Sequence, residues 1–494
     1  MNSEKNPKMN TSYQLFIDGI WREGSEGTRV PVINPATEEA FAEVCWATPQ
    51  DANLALEAGQ KAGFGEWATW SPTRRGRFLN AVAASIRRNI SQLSELFSME
   101  HGKPSHQATG ELQDAARYLE YFGGWADKIT GMTVDLGPEQ MDYVLREPLG
   151  LTVHIAPWNY PLDIFCRSVG PALAAGNTCV VKPSREISAV TLALTKLFEE
   201  EGLPAGVLNV IPGSGSVLGK VLTEDPRVRG IIFTGSVATG RTVLQSAALN
   251  ITPVVSMELG GKAPSLVFVK DASELDGPVG GVVGALAWNA GQSCGQRARW
   301  YVRRDLYEPF LERLAPSVRS LRVGPYTQPG GVDLGPLVSK KHYENVMNYI
   351  RIGKEEGARL IVGGGRPEGL GEKGYFVAPT VFADCNNSMR IVREEIFGPV
   401  ITVIPVDSLE EALVLANDNN FGLSSEIWTS DITTAHTVAS RLDVGHVTIN
   451  GSSAFGFEVP FGGVKQSGLG REGGPEAILA YTRVKNVWVN LKRR

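Results

Sequence analysis

A cysteine between small residues is the first candidate for chemistry in this chain. Cys294 stands in the run Gly-Gln-Ser-Cys-Gly at 291–295, after an apolar, helix-compatible stretch at 282–288. A thiolate is a strong nucleophile, and small neighbours let a substrate carbon approach its sulfur. Most free cysteines are buried packing residues, so the role of Cys294 depends on the groups found elsewhere in the chain.

Two polar residues have the chemistry to assist such a nucleophile. Asn159, in the stiff turn Ala-Pro-Trp-Asn-Tyr-Pro at 156–161, can donate its amide N–H to an oxyanion or satisfy its own turn. Glu258, followed by two glycines at 260–261, is either a general base or a solvated loop glutamate. The 6 histidines form no metal-ligand spacing, so no metal site is predicted.

Two further segments have the composition of a cofactor site. The run Phe-Thr-Gly-Ser-Val-Ala-Thr-Gly at 233–240 follows a predicted strand and opens a helix. Its spacing differs from the dinucleotide fingerprint, but its glycines and helix N-terminus suit a pyrophosphate. A simple strand-to-helix turn is the alternative. Lys182, which also follows a strand, would bind ribose hydroxyls or stand exposed in its loop.

The elements that must position these residues follow an α/β pattern. From about Gly150, short apolar strands alternate with amphipathic helices, which predicts a mostly parallel, doubly wound sheet. Ligands of such sheets bind at the carboxyl ends of the strands. The predicted strands are 151–155, 178–181, 207–211 and 230–233, and the predicted helices are 187–200 and 216–222.

A second α/β stretch runs from about 259 to 450. Its predicted elements are helices at 273–288, 306–318 and 340–356, and strands at 299–303 and 446–449. The segments Gln140–Glu147 and Tyr481–Leu491 look extended and fit neither unit. If they pair, they form an exposed sheet that invites contact with another subunit.

Composition limits the classes of function. The chain has 494 residues, which predicts two to four domains, and 43% apolar and 20% charged residues, which is ordinary for a soluble globular protein. The net charge of −5 does not indicate a surface that binds nucleic acid or an anionic membrane. We see no signal peptide and no apolar run long enough for a membrane span. The 5 widely spaced cysteines indicate a reducing compartment, and we expect a cytoplasmic protein.

Taken together and in this order, the motifs closely resemble those of the NAD(P)-dependent aldehyde dehydrogenase superfamily. The matching segments are PWNYP at 157–161, KPS at 182–184, FTGSVATG at 233–240, ELGGK at 258–262, GQSC at 291–294, EEIFGPV at 394–400 and PFGGVKQSGLGRE at 460–472. The resemblance spans almost the whole chain, from Phe16 to the C-terminal strand. It implies the aldehyde dehydrogenase fold: a Rossmann-like, doubly wound cofactor domain, an α/β catalytic domain and a β oligomerisation arm. The expected limits are 1–126 and 148–258 for the NAD(P)-binding domain, 259–450 for the catalytic domain, and 127–147 with 480–494 for the arm.

The resemblance implies catalytic and cofactor roles. Cys294 would attack an aldehyde carbon, Asn159 and the Cys294 backbone N–H would stabilise the oxyanion, and Glu258 would activate water to hydrolyse the thioester. Lys182 and Glu395 would hold the two riboses. The full set expected to contact NAD or NADP is Trp158, Lys182, Ser184, Arg185, Gly235, Ser236, Glu395 and Phe397.

The choice between NAD and NADP depends on Arg185. NAD-preferring relatives commonly carry a glutamate at this position, where its carboxylate binds the adenosine ribose. A guanidinium can instead pair with a 2′-phosphate. We therefore expect NADP to be accepted. The alternative is that Arg185 points to solvent and does not discriminate.

The substrate pocket leaves three aldehyde classes open. The expected pocket residues are Tyr160, Arg167, Trp288, Phe455 and Phe461. The resemblance places Tyr160 and Trp288 at aromatic positions that cradle an ammonium group in betaine-aldehyde and ω-aminoaldehyde relatives, with Glu111 and Asp114 near acidic positions of the same subgroup.

Arg167 instead resembles the carboxylate-binding arginine of succinic-semialdehyde dehydrogenases. It also stands four residues after Asp163 on a predicted helix, so the two side chains would be able to pair with each other. The aromatic residues of the pocket suit an aromatic aldehyde as a third class.

The leading hypothesis is an enzyme that acts on a small-molecule aldehyde, without nucleic acid or membrane, as a homodimer or homotetramer. A coenzyme-A-acylating semialdehyde dehydrogenase is the alternative of the same class, and Glu258 disfavours it because acylating relatives usually lack this base. A non-catalytic family member is the second alternative. It is disfavoured because the implied catalytic residues are intact.

Overall fold

The computed structural model describes residues 11–451 and 456–492 and contains two large β-sheets. The first is built from the first half of the chain and one edge strand of the second half, and the second from the second half alone. The strands of the first half are β1 (Ser12–Tyr13), β2 (Leu15–Ile17), β3 (Ile20–Arg22), β4 (Arg29–Asn34), β5 (Glu39–Cys45), β6 (Met132–Val134), β7 (Gln140–Pro148), β8 (Leu151–Ile155), β9 (Thr178–Lys182), β10 (Leu208–Val210), β11 (Gly230–Thr234) and β12 (Val254–Glu258). Its helices are α1 (Pro49–Ala62), α2 (Glu66–Thr69), α3 (Pro72–Arg88), α4 (Ile90–His101), α5 (Ser105–Trp125), α6 (Pro161–Ala174), α7 (Ser188–Glu200), α8 (Gly215–Thr223) and α9 (Val237–Ala248).

The second half continues the alternation of strands and helices. Its strands are β13 (Ala263–Val267), β14 (Arg297–Arg303), β15 (Arg359–Val362), β16 (Thr380–Ala383), β17 (Val400–Val406), β18 (Phe421–Gly422), β19 (Ser424–Trp428), β20 (His446–Ile449), β21 (Val464–Lys465), β22 (Gly468–Leu469) and β23 (Thr482–Asn490). Its helices are α10 (Asp276–Ala287), α11 (Arg304–Arg319), α12 (Lys340–Glu355), α13 (Arg390–Arg393), α14 (Leu409–Asn417), α15 (Ile432–Arg441) and α16 (Gly474–Ala480).

The first large sheet has eight strands in the order β22-β12-β11-β8-β9-β10-β2-β3. The five strands from β12 to β10 run parallel, and the strands at both edges are antiparallel. The central strands are buried apolar runs, as expected for a parallel sheet covered by helices on both faces. The strand order reverses between β8 and β11, which places the ligand crevice at their carboxyl ends. The predicted doubly wound sheet is confirmed.

The second large sheet has seven strands in the order β15-β16-β17-β14-β13-β19-β20, parallel except for β15. Its functional candidates stand on loops that enter strands: Cys294 before β14 and Glu395 before β17. Those of the first sheet stand at the ends of strands or just after them. The candidate site is therefore assembled from the carboxyl edge of one sheet and the amino edge of the other.

A three-stranded sheet, β23-β7-β6, stands apart from the two large sheets. β7 and β23 pair antiparallel over their full lengths, from Gln140 opposite Asn490 to Pro148 opposite Thr482. This confirms the predicted pairing of the two extended segments. The exposed large apolar side chains of this arm and its flanking residues are Met132, Val134, Leu136, Met141, Leu145, Val484, Trp488 and Leu491. The domain limits given above stay a prediction.

The segment before the candidate nucleophile differs from its predicted form. The sequence predicts a helix over 273–288, but a short 3-10 turn at Ala272–Glu274 precedes α10, which ends at Ala287. The chain then leaves helical geometry because Asn289 and Ala290 adopt positive φ angles of 51° and 50°. Across the described residues, the structure contains no helix that is both long and apolar enough to span a bilayer.

Candidate active site

A cavity of about 650 Å³ lies between α5, α6 and the loop that carries Cys294. Its aromatic lining residues are Tyr118, Tyr160, Trp288, Phe457 and Phe461, and its acidic ones are Glu111, Asp114, Asp163 and Glu458. Cys294 and Arg167 also line it. Four of the five expected pocket residues therefore meet in one cavity, and the fifth, Phe455, lies outside the described residues. No histidine is among the described residues that line the cavity, so the lining offers Cys294 no imidazole base.

Cys294 is half-buried in the loop between α10 and β14. Its carbonyl oxygen packs directly on Gly261, where any side chain would collide with it. Burial, together with the nearby Glu258 carboxylate, raises the pKa of the Cys294 thiol to about 12. The thiol is therefore protonated near pH 7 and needs a base before it can act as a nucleophile.

Glu258 ends β12 and is only 1% exposed, so it is not a solvated loop residue. Neither carboxylate oxygen has a hydrogen-bond partner among the residues that the structure describes. Burial holds the pKa of Glu258 well above its ordinary value, and Glu472 raises it further, while Arg167 opposes the shift. A buried, unpaired carboxyl with a raised pKa is a stronger proton acceptor than an ordinary glutamate.

Asn159 is buried in the turn between β8 and α6. Its backbone carbonyl accepts hydrogen bonds from Lys103 Nζ at 3.2 Å and from Asn289 Nδ2 at 2.8 Å. Lys103 in turn forms a buried ion pair with Glu111. The turn is therefore held from two sides by residues distant in sequence.

Glu111 does not serve as a free acidic group of the pocket. Its Oε1 accepts the N–H groups of Leu162 and Asp163, at 3.0 and 3.3 Å, in the first turn of α6. Its other oxygen pairs with Lys103. A carboxylate in this position satisfies helix N–H groups that have no partner within the helix. The sequence indicates Glu111 as a pocket residue but contains no signal for Lys103.

Lys182 and Ser184 lie at the carboxyl end of β9. Lys182 is buried, with Nζ 2.9 Å from the Pro183 carbonyl oxygen. Burial lowers the pKa of Lys182 to about 8, while the Glu186 charge opposes this shift. The Ser184 hydroxyl donates a hydrogen bond to Glu186. The reading of Lys182 as an exposed loop lysine is therefore wrong.

Arg185 begins a 3-10 turn at Arg185–Ile187 and is exposed. Its guanidinium carbon lies 5.8 Å from the ring centroid of Trp46, which is within cation–π range. The side chain is thus oriented by an aromatic neighbour, although it also reaches solvent.

Gly235 and Ser236 join β11 to α9, as the sequence predicts for this motif. The Gly235 N–H donates to the Glu258 carbonyl oxygen at 3.0 Å. Ser236 caps α9 by accepting the Thr239 N–H at 3.3 Å. The N-terminus of α9 therefore opens at the switch point of the first sheet, where an anionic ligand is favoured.

Glu395 and Phe397 approach the same region from the second sheet. Glu395 Oε1 accepts the Gly261 N–H at 2.8 Å. Burial raises the pKa of Glu395 to about 7, and this N–H and the Lys262 charge oppose the shift. The Phe397 ring meets the ring of Trp158 edge to face, with centroids 5.3 Å apart.

Arg167, in α6, is held by internal carboxylates. Its Nε lies 2.6 Å from Glu472 Oε2, and its NH1 lies 3.6 Å from Asp163 Oδ2. Its guanidinium carbon lies 5.3 Å from the Phe461 ring centroid. The expected pairing with Asp163 is present, but the closer partner is Glu472, which the sequence did not indicate.

The donor set suits a dinucleotide. An ammonium group, a hydroxyl and a helix N-terminus from the first sheet match hydroxyl and phosphate oxygens, and Glu395 from the second matches ribose hydroxyls. Among the described residues there is no group of three or more His, Cys, Asp or Glu side chains arranged to hold a metal ion.

Comparison with known proteins agrees with this geometry. The model of the aldehyde dehydrogenase family matches residues 21–487. A putative aldehyde dehydrogenase, DhaS, of Bacillus subtilis (strain 168) is 39% identical over 97% of this chain and 96% of its own length. A betaine aldehyde dehydrogenase of Cereibacter sphaeroides is 42% identical over 96% of this chain and 97% of its own length.

Solved structures agree closely as well. The NAD+ complex of an aldehyde dehydrogenase from Bacillus cereus has a TM-score of 0.95 and 38% identity, and covers 100% of both chains. A betaine aldehyde dehydrogenase from Staphylococcus aureus in complex with NAD+ has a TM-score of 0.95 and 34% identity, covering 99% of this chain and 96% of its own. The chain therefore belongs to the aldehyde dehydrogenase family of NAD(P)-dependent oxidoreductases.

Proposed function

We propose that this enzyme oxidises an aldehyde to its carboxylic acid through a covalent intermediate on Cys294. The observation that supports this proposal is that the Cys294 thiol, which lines the cavity, lies near Glu258, a buried carboxyl without a hydrogen-bond partner among the described residues. Cys294 lines the 650 Å³ cavity, and the Glu258 charge acts on its thiol. A nucleophile and a base within electrostatic reach of each other are the minimum for acyl chemistry.

In the first step, Glu258 takes the proton of the Cys294 thiol. The sulfur then attacks the aldehyde carbon, and the carbonyl electron pair moves to the oxygen. The side-chain amide of Asn159 and the backbone N–H of Cys294 stabilise that oxyanion. A nicotinamide cofactor held by Lys182, Ser236 and Glu395 would supply the hydride acceptor for the same carbon, and the oxyanion's electron pair would then reform the carbonyl of a thioester on Cys294.

In the second step, Glu258, which has passed the first proton to solvent, acts as the base that takes a proton from water. The water oxygen attacks the thioester carbon, the carbon–sulfur bond breaks, and Cys294 leaves as the thiolate. The product is the free acid. This role of Glu258 favours hydrolysis over transfer of the acyl group to coenzyme A.

For the cofactor we propose that both NAD and NADP are accepted. NAD is supported by the NAD+ complexes of the related structures. NADP is supported by Arg185, whose guanidinium stands over Trp46 beside the Lys182 loop and can pair with a 2′-phosphate. Glu186, the residue after Arg185, acts against NADP binding because its carboxylate would repel the 2′-phosphate.

Among the three substrate classes, we propose a cationic aldehyde of the ω-amino or trimethylammonium type. Arg167 is already paired with Glu472 and Asp163, so it does not offer a free charge to a substrate carboxylate. Asp114 lines the cavity and has no ion-pair partner among the described residues. Desolvation in the cavity and the Glu111 charge raise the pKa of Asp114 to about 6, so it remains largely ionised at pH 7. The aromatic lining supplies ring faces for an ammonium group.

We further propose that the enzyme is a cytoplasmic homodimer or homotetramer that assembles through the β6-β7-β23 arm. The apolar side chains exposed on this arm support the assembly. The 5 cysteines are all unpaired, in keeping with a reducing compartment.

The test measures the absorbance of reduced nicotinamide with NAD or NADP and a panel of aliphatic, aromatic, amino- and carboxy-aldehydes. We expect turnover, fastest with an amino- or trimethylammonium aldehyde, and its loss in Cys294→Ala. The matched control is Cys179→Ala, because Cys179 is buried in β9. Turnover that persists in Cys294→Ala would overturn the mechanism. A requirement for added coenzyme A would identify the acylating alternative, and an inert protein with an unreactive thiol would identify the non-catalytic one.

A further inference from the structure

Asn289 bridges the loop of the nucleophile and the loop of the proposed oxyanion donor. Its Nδ2 donates to the Asn159 carbonyl oxygen at 2.8 Å and to the Gln292 carbonyl oxygen at 3.0 Å. Asn159 lies in the turn that follows β8 of the first sheet, whereas Gln292 lies two residues before Cys294. One side-chain amide therefore joins the two halves of the site.

The backbone around Asn289 is strained. Asn289, Ala290 and Gly291 have φ angles of 51°, 50° and 69°, a run of three left-handed residues directly before the nucleophile loop. Glycine adopts this region freely and asparagine tolerates it, whereas Ala290 there costs on the order of 1 kcal/mol. Such a segment persists only where its surroundings hold it.

The contacts that hold Asn289 come from several directions. Its N–H donates to Gln107 Oε1 at 2.7 Å, and its carbonyl oxygen accepts from Gln292 Nε2 at 3.0 Å. Gln107 is itself fixed because its Nε2 donates to the Ala287 and Asp333 carbonyl oxygens. Gln292 Oε1 accepts the Val338 N–H at 3.0 Å. The three amide side chains are all buried.

From this geometry we propose that Asn289 is a positioning residue that sets the spacing between Cys294 and Asn159. Its amide ties both loops, so the sulfur and the oxyanion donor hold one separation before substrate arrives. A misplacement of about 1 Å between reacting groups costs roughly 100-fold in rate. The inference rests on the proposed function, because it assigns the two ends of the bridge to one reaction step.

A double-mutant cycle with Asn289→Gly and Asn159→Ala tests the proposal. Glycine removes the bridging amide but retains the left-handed backbone. We expect Asn289→Gly to slow the single-turnover appearance of reduced nicotinamide about 10- to 100-fold. In the Asn159→Ala background the same change should cost no more than about threefold, because the donor that it positions is gone. Equal costs in both backgrounds would overturn the proposal.

Alkylation of Cys294 by iodoacetamide provides a second readout. This reaction needs the thiol but no oxyanion donor, so its rate in Asn289→Gly should stay within about threefold of the parent. A loss of alkylation as large as the loss of turnover would show that the loop has collapsed, and the positioning role would then fail.

Asn177→Gly is the matched control. Asn177 is a buried asparagine whose Nδ2 likewise donates to two backbone carbonyl oxygens, those of Ala172 and Tyr481, each at 3.0 Å. The Asn177→Gly variant loses the same kind of bridge, but Asn177 does not contact the Cys294 or Asn159 loops. We expect a lower melting temperature with an unchanged single-turnover rate. A drop in that rate as large as in Asn289→Gly would mean that lost stability explains both.

If Asn289→Gly does not fold, Asn289→Asp removes both Nδ2 donations and keeps a side chain that tolerates the left-handed backbone. We expect this variant to slow the single-turnover rate about 10-fold or more alone and no more than about threefold in the Asn159→Ala background, and equal slowing in both backgrounds would count against the proposal. Failure of the proposed function is distinguishable from these outcomes, because it would leave turnover intact in Cys294→Ala whatever the cycle shows.

Discussion

Arg167 and Glu472 form a buried ion pair next to the proposed general base, with Nε and Oε2 2.6 Å apart. Glu472 is further fixed by Ser256, whose hydroxyl donates to Oε1 at 2.8 Å. The two charges act on Glu258 in opposite directions: Glu472 raises its pKa and Arg167 lowers it. The pair therefore tunes the base.

Replacement of Glu472 should move the pH profile of the enzyme. Glu258 works as a base only when deprotonated, and its pKa is raised, so kcat rises with pH through that pKa. Glu472→Gln removes a negative neighbour, and the free Arg167 charge then favours the Glu258 carboxylate further. We expect the ascending limb of kcat against pH to move by about one unit to lower pH.

Arg167→Met should shift the pH profile in the direction opposite to Glu472→Gln. Loss of the guanidinium leaves Glu258 beside an uncompensated Glu472, so the limb should move to higher pH. Melting temperatures should accompany both profiles, because removal of one member of a buried pair costs about 3–5 kcal/mol of stability. Shifts in the same direction for both variants would contradict this account.

Asp114→Asn should weaken the binding of cationic aldehydes only. Loss of one carboxylate beside an ammonium group should raise KM about tenfold, which corresponds to about 1.4 kcal/mol. KM for neutral aldehydes of similar length should not change. Glu458→Gln is the control, because Glu458 lines the same cavity but is already paired with Arg117 at 3.0 Å. Equal effects on neutral and cationic substrates would argue against a charge-reading role.

Arg185→Glu should separate the two cofactors. A carboxylate at this position would repel a 2′-phosphate and accept ribose hydroxyls, so kcat/KM with NADP should fall about 100-fold while that with NAD holds or rises. Steady-state rates with each dinucleotide measure this. Trp46→Leu should give a smaller loss with NADP, because it removes only the ring beneath the guanidinium. An unchanged NADP rate in Arg185→Glu would mean that Arg185 does not contact the cofactor.

His342→Ala should loosen the cofactor side of the site. His342 Nε2 donates to the Phe397 carbonyl oxygen at 2.7 Å, and Phe397 holds a strained φ of 62°. Loss of this hydrogen bond should raise KM for the nicotinamide cofactor about tenfold. His436→Ala is the control, since His436 is exposed on α15. The same change in both histidine variants would exclude a specific role.

Charges on the arm should disrupt assembly. Val484 and Trp488, on β23, are 62% and 54% exposed. Asp at both positions should shift the mass measured by light scattering to a smaller species, because a subunit interface would then bury two carboxylates. Phe64→Asp is the control, with a side chain 88% exposed and distant in sequence from the arm. An unchanged mass in the double variant would place the interface elsewhere.

The local pattern of apolar runs and turn residues in the sequence was sufficient to predict much of this fold. The buried strands β8, β9 and β11 are short apolar runs bounded by turns, and the motifs at 156–161 and 233–240 lie where strand ends were predicted. Because parallel strands present their carboxyl ends at one edge, this pattern alone brings Asn159, Lys182 and Ser236 to the same edge of the sheet. Glu258 lies at this edge for the same reason, because it is the last residue of β12.

The partners of these residues were decided only by the tertiary structure. The sequence paired Arg167 with Asp163, four residues away on one helix, but the closer carboxylate is Glu472 from the far end of the chain. Glu111 resembled a pocket acid until the fold placed it against Lys103 and the start of α6. Asn289 had no sequence signal at all. Periodicity and motifs indicate which face and which turn a residue occupies, whereas contacts between distant segments depend on how the two halves of the chain pack against each other.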